Sequence, residues 1–202
     1  MALLFMDPLD LWLMLLGVTL FAAACAVYMN VVRGKRNDDC NRGMGAYFIG
    51  VGIYALVAGL WGMMTWPLPG SNNIVLIDSF ALFGIASLVV GVVLFKGLDI
   101  RAAGAIAPLG LPTIVYAFVI WNYGMTREPL EAGLMFFLTG LAALLSPTLA
   151  IQRIGRVLGV LAILILVVAG IMAFYTGMNA AFGHVAGWGN WVPWYGSVTV
   201  GK

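Results

Sequence analysis

Residues 157–176 read VLGVLAILILVVAGIMAFYT, an apolar run without one charged side chain. About 20 such residues rise about 30 Å as an α-helix, enough to cross the hydrocarbon core of a bilayer, and a helix satisfies its own backbone in lipid. Working outward from it, five more runs of this kind stand at residues 11–32, 44–64, 74–95, 102–121 and 130–151. They take up most of a 202-residue chain that is 63% apolar or aromatic and only 9% charged, where a soluble domain carries roughly a quarter charged residues. The expectation is an all-α polytopic membrane protein, one domain over residues 1–202. Six transmembrane helices form the bundle, and an aromatic tail follows at 177–202.

Charge sets the expected orientation. Arg33, Lys35, Arg36 and Arg42 follow the first run, Lys96 and Arg101 the third, and Arg153 and Arg156 the fifth, which is eight of the ten basic residues. Positive charge near span ends stays in the cytoplasm, so both termini are expected outside the cytoplasm of a plasma (inner) membrane, together with the loop at 65–78. Arg127 and Lys202 are the exceptions. The first run is preceded by Asp7 and Asp10 rather than basic residues and is too long for a signal-peptide core, so it is expected to be retained. Cys25 and Cys40 then face the reducing side, where no structural disulfide is expected. The basic residues are dispersed over short loops, so the net charge of +2 gives no sign of nucleic-acid binding, and no nucleic-acid partner is expected. In the first loop they could hold a lipid headgroup, although topological charge alone explains them.

Glycines recur every seven residues at Gly45, Gly52 and Gly59, at Gly84 and Gly91, at Gly133 and Gly140, and at Gly170 and Gly177, with Gly43 and Gly50 on a second row. Seven residues are two helical turns, so each set occupies one face. Small residues there let backbones approach closely in lipid, and tight, near-parallel helix packing is expected. Pro108 and Pro112 should bend the fourth helix, and Pro147 should bend or end the fifth.

The loop TWPLPGSNNIVLID, residues 65–78, brings together two prolines, a glycine, two asparagines, a tryptophan and Asp78. A carboxylate near a span costs insertion free energy and commonly faces the bundle interior or water. Two readings are open: a solute entrance formed by Trp66, Asn72, Asn73, Asp78 and Arg127, or a helix cap at Asp78. Thr126 ahead of Glu128, Pro129 and Glu131 looks like the start of the fifth helix. Arg127, on the side that positive charge avoids, calls for a partner such as Asp78, Asp10 or Glu128. Trp188, Trp191, Trp194 and Tyr195 suit an anchor at headgroup depth.

With His184 as the single histidine, no haem or metal ligand set, catalytic triad or CxxC is visible. Neither a cofactor nor an enzymatic activity is expected. Thr65, Trp66, Pro67, Leu68, Asn73, Ile74, Leu82, Phe83 and Gly84 resemble the pattern of a family of small polytopic prokaryotic membrane proteins classed as domain of unknown function 981. Asp78 keeps that family's acidic position, with Ile77 and Ser79 where the family usually has Gly and Pro. The resemblance implies six spans and no known activity. The stretch LFGIASLVVGVVLFKGLDIR also resembles urea and short-chain amide channels of similar length. Taken together, these features lead to a non-enzymatic bundle that passes or senses a small solute. The alternative is an accessory or structural subunit of a larger membrane complex. Membrane lipid, and further copies of the chain or other chains, are the expected partners.

Overall fold

The computed structural model describes residues 3–5, 8–34, 37–68, 70–151, 154–187 and 191–193. Six helices long and apolar enough to cross a membrane carry the fold, the build of a multi-pass membrane protein. Helix α1 (Leu9–Val27) continues into a π-helical turn, Tyr28–Val32; α2 is Asp38–Thr65 and α3 Asn72–Phe95. A 3₁₀ segment, Ile100–Ile106, leads into α4 (Ala107–Tyr123), and α5 (Pro129–Leu145) is followed by another, Ser146–Ala150, before α6 (Gly155–Ala186). Pro112 lies inside α4, while Pro147 opens the 3₁₀ turn that ends α5.

The helices associate as three antiparallel pairs, α2 with α3, α1 with α6, and α4 with α5, and glycine makes each pair close. A Cβ on Gly45, Gly52 or Gly59 would run into Phe95, Leu88 or Ala81 of α3, and Gly84 and Gly91 return the contact against Leu56 and Ile49 of α2. Gly17, Gly170 and Gly177 do the same between α1 and α6, and Gly110 and Gly140 between α4 and α5, where Gly133 meets the Trp121 ring. Gly43 and Gly50, the second row of α2, have open space around them. Only one of that helix's two glycine faces is therefore a seam.

Between pairs the joints combine buried apolar packing with specific polar contacts. Helices α1 and α2 meet at three levels: Trp12 Nε1 donates to the Tyr54 hydroxyl (3.2 Å), Thr19 and Tyr47 hydroxyls share a hydrogen bond (2.8 Å), and Asn30 and Asn41 exchange side-chain amide bonds at 3.0 and 2.8 Å. Asn41 is 1% exposed, and at that depth the reciprocal pairing satisfies both amides. Helices α3 and α4 are linked by the Tyr116 hydroxyl, which donates to Asp78 Oδ2 at 3.1 Å. Met135 and Phe136 of α5 and Ala173 of α6 belong to one buried apolar cluster.

Two features depart from expectation. The sixth helix does not stop at Thr176 but runs to Ala186, because a close seam against α1 still holds it there, with Gly177 against the backbone of Asp10 and Met14. Beyond it Trp191–Pro193 pairs in parallel with Leu3–Phe5 as a two-stranded ribbon, β2 with β1. The expected aromatic cluster at Trp188, Trp194 and Tyr195 lies outside the described residues.

Candidate functional site

The three pairs border a chamber of about 190 Å³, partly open to the outside, whose walls come from all six helices and are almost entirely hydrocarbon. Trp12, stacked on Phe80 with ring centroids 4.2 Å apart, forms part of the wall toward the end of the bundle that holds the start of α1. Leu16, Phe83 and Phe136 line the middle, and Ile100 and Leu149 the opposite, basic end. Hydroxyls in the wall are mostly turned back on their own helices: Thr113 donates to Leu109 O, Thr139 to Met135 O and Ser146 to Ala143 O. Ser79 Oγ is buried without a partner. A bound water needs two to four polar partners, so this wall offers little to hydrate a polar solute and much dispersion contact to an apolar one.

The sequence-level entrance residues do not form one group. Helix α2 closes with Trp66 in left-handed backbone (φ 51°), half exposed, its N–H donating to Gly62 O. Asn73 is 1% exposed and is spent on the turn: Oδ1 accepts from Leu68 N (3.1 Å) and Nδ2 donates to Gly62 O (3.3 Å). It is a latch between α2 and α3, buried out of reach of a solute. Asn72, its neighbour, has a buried Oδ1 with no hydrogen-bond partner, one turn above the chamber residue Leu76.

Asp78 is not a cap. The unpaired amides of a helix lie in its first turn, and Asp78 comes nearly two turns into α3, where its contact is Tyr116 of α4. Arg127 is exposed and forms no ion pair with Asp78, Asp10 or Glu128. Asp10 is instead 3.5 Å from Nδ1 of His184, whose helical position the glycine-rich sequence around it obscured. Thr126 does not start α5 either. It takes φ 70° with its Oγ1 buried and unpartnered, and Glu128 stands at the N-cap. The unmatched methyl of a β-branched residue makes that left-handed backbone unfavourable. Cys25 and Cys40 are exposed free thiols.

The basic end holds a second, polar cavity that sequence reasoning did not locate. It is open, of about 530 Å³, and among the described residues it is walled by Asn30, Val31, Gly34, Arg101, Leu149, Ile151, Gly155 and Arg156. Arg101 is fixed there, with Nε donating to Leu149 O (3.1 Å) and Nη1 to Asp99 Oδ2 (2.9 Å). Its only foreshadowing in the sequence was the positive charge of alternate loops.

Among the described residues no three His, Cys, Asp or Glu side chains gather as a metal site. Comparison with curated proteins and with solved structures returned no match. The likeness of the third span to urea and amide channels is therefore not borne out. A family model does match, over residues 1–187, and the chain belongs to that family, the proteins of unknown function designated DUF981.

Proposed function

We propose that the chain is a membrane carrier that takes small, apolar-bodied solutes into the chamber between its three helix pairs. The observation that carries this reading is the chamber itself, about 190 Å³ with walls of hydrocarbon. An apolar cavity of roughly 150 Å³ stays dry and takes benzene or xenon, so the size suits a molecule a little larger than benzene. The glycine seams support it as well, because they make each helix pair a tightly packed unit beside the chamber. The end bearing the chain termini would lie outside the cytoplasm of the plasma (inner) membrane, in keeping with the basic loops at the other end, and Asn72 would stand near that outer mouth.

Titrating the purified protein with toluene and with urea tests this. Toluene should bind saturably and raise the unfolding temperature, as any ligand of the folded state does. Ala142→Phe, which fills the chamber from α5, should abolish toluene binding, and urea should not bind. Absence of toluene binding in the wild type, with other chains co-purifying, would instead favour an accessory subunit of a larger complex.

A further inference from the structure

The chamber and the basic cavity share a wall. Leu149 lines both, and the residues around it alternate between them: Ile100 and Ala103 border the chamber while Arg101 borders the cavity, and Val27 borders the chamber while Asn30 and Val31 border the cavity. The partition is made of irregular backbone, the π-helical turn Tyr28–Val32 and the 3₁₀ segments Ile100–Ile106 and Ser146–Ala150. Single π turns interrupt helices at a cost and are frequent at functional sites. Across that partition the environment changes from hydrocarbon to two guanidinium groups.

We propose that the two cavities are one site for a phosphate-bearing amphiphile, with the anionic head on Arg101 and Arg156 and an apolar tail of about six to eight carbons past Leu149 in the chamber. This rests on the reading of the chamber as a solute site and adds the chemical class of the solute. Arg101 is suited to the head because two of its nitrogens are already held, Nε by Leu149 O and Nη1 by Asp99. The guanidinium is thus pre-oriented, and its Nη2 hydrogens remain to donate. A planar guanidinium matches phosphate oxygens with directed, charge-assisted bonds. Arg156, in the first turn of the 32-residue α6, is exposed and forms no ion pair among the described residues. No side chain caps the start of that helix, so its positive dipole end adds to the same field. Asn30 contributes shape rather than bonds, since its amide is engaged by Ala26 O and Asn41.

The test compares hexyl phosphate, hexanol and inorganic phosphate binding to the full-length protein in neutral detergent by isothermal titration. Hexyl phosphate should bind at least about tenfold tighter than hexanol, and inorganic phosphate alone should bind far more weakly than hexyl phosphate. In Arg101→Gln with Arg156→Gln, hexyl phosphate should fall to the level of hexanol, while hexanol and toluene binding stay unchanged and so report an intact chamber. Equal affinity of the wild type for hexyl phosphate and hexanol would overturn the head site while leaving the chamber reading in place. Inorganic phosphate matching hexyl phosphate would also overturn it, as a free-anion site without a tail. Binding of none of hexyl phosphate, hexanol and toluene would mark failure of the chamber reading itself. The wild-type comparison stands whether or not the double variant folds. Organic extraction of the purified protein adds the source: a retained phospholipid identifies the bilayer as the supplier of the head, and a short-chain phosphate ester a free solute.

Discussion

Gly52→Leu is expected to prevent α2 and α3 from docking, whereas Gly50→Leu, two residues away on the same helix, leaves the protein folded. A Cβ at Gly52 would lie 2.6 Å from Leu88 Cγ, 2.8 Å from Leu88 N and 2.9 Å from Gly84 O. Two of those three atoms are backbone and cannot swing aside, so the helices themselves must separate. Overpacking by a few methylenes already costs about 1–3 kcal/mol, and Leu adds four carbons against a fixed wall. The loss should be at least about 3 kcal/mol, seen as disappearance of the monodisperse species after detergent extraction. At Gly50 nothing lies within 4 Å, and leucine on an open face should change stability by no more than about 0.5 kcal/mol. Equal behaviour of the two variants would show that the seam is not where the helices are held.

Asn73→Ala should be the next most damaging change, and Asn72→Ala close to silent. Without Asn73 Oδ1, the N–H of Leu68 is left without its partner, and Leu68 is only 2% exposed. A buried donor stranded in this way costs about 1–3 kcal/mol. Gly62 O would keep its bond from Trp66 N but lose the one from Asn73 Nδ2, so a total of about 2–3 kcal/mol is expected, read as a lowered unfolding temperature. Asn73→Asp keeps the acceptor for Leu68 yet cannot donate to Gly62 O, and should also be destabilised. Asn72 Oδ1 has no bond to lose. If it stands at the mouth of the chamber, its removal alters solute binding and not stability. A stability loss at Asn72 equal to that at Asn73 would undo the assignment of latch and mouth.

What the sequence discloses and what it withholds follow from the range of the interactions. Span position depends on local composition, so the helices around residues 74–95 and 130–151 could be placed within a few residues of Asn72–Phe95 and of Pro129–Leu145 with its 3₁₀ continuation. Glycine spacing gives a face but not a partner. Gly45 and Gly43 look alike in one dimension, and only the pairing of α2 with α3 separates the packed row from the open one. The last turns of α6 were missed because Gly177, Asn179 and Gly183 are poor helix formers, an intrinsic preference that the seam with α1 overrides. Asp78 could be recognised as unusual from its residue type. Its contact with Tyr116, 38 positions away, is a matter of which pairs lie side by side. For the same reason the chamber had no signal in the sequence: it is the space left between pairs, and its lining is ordinary transmembrane apolar sequence. The basic residues were visible only as a topological bias, since Arg101 and Arg156 come to one cavity through the 3₁₀ segments that lead into α4 and end α5.

Crystals pressurised with xenon address the central claim most directly. An apolar chamber between the helix pairs should give a strong anomalous xenon peak walled by Leu16, Phe83 and Phe136, absent in Ala142→Phe and with no ordered water beside it. A continuous file of ordered water through the same space, without xenon, would contradict it and make the bundle a path for polar solutes.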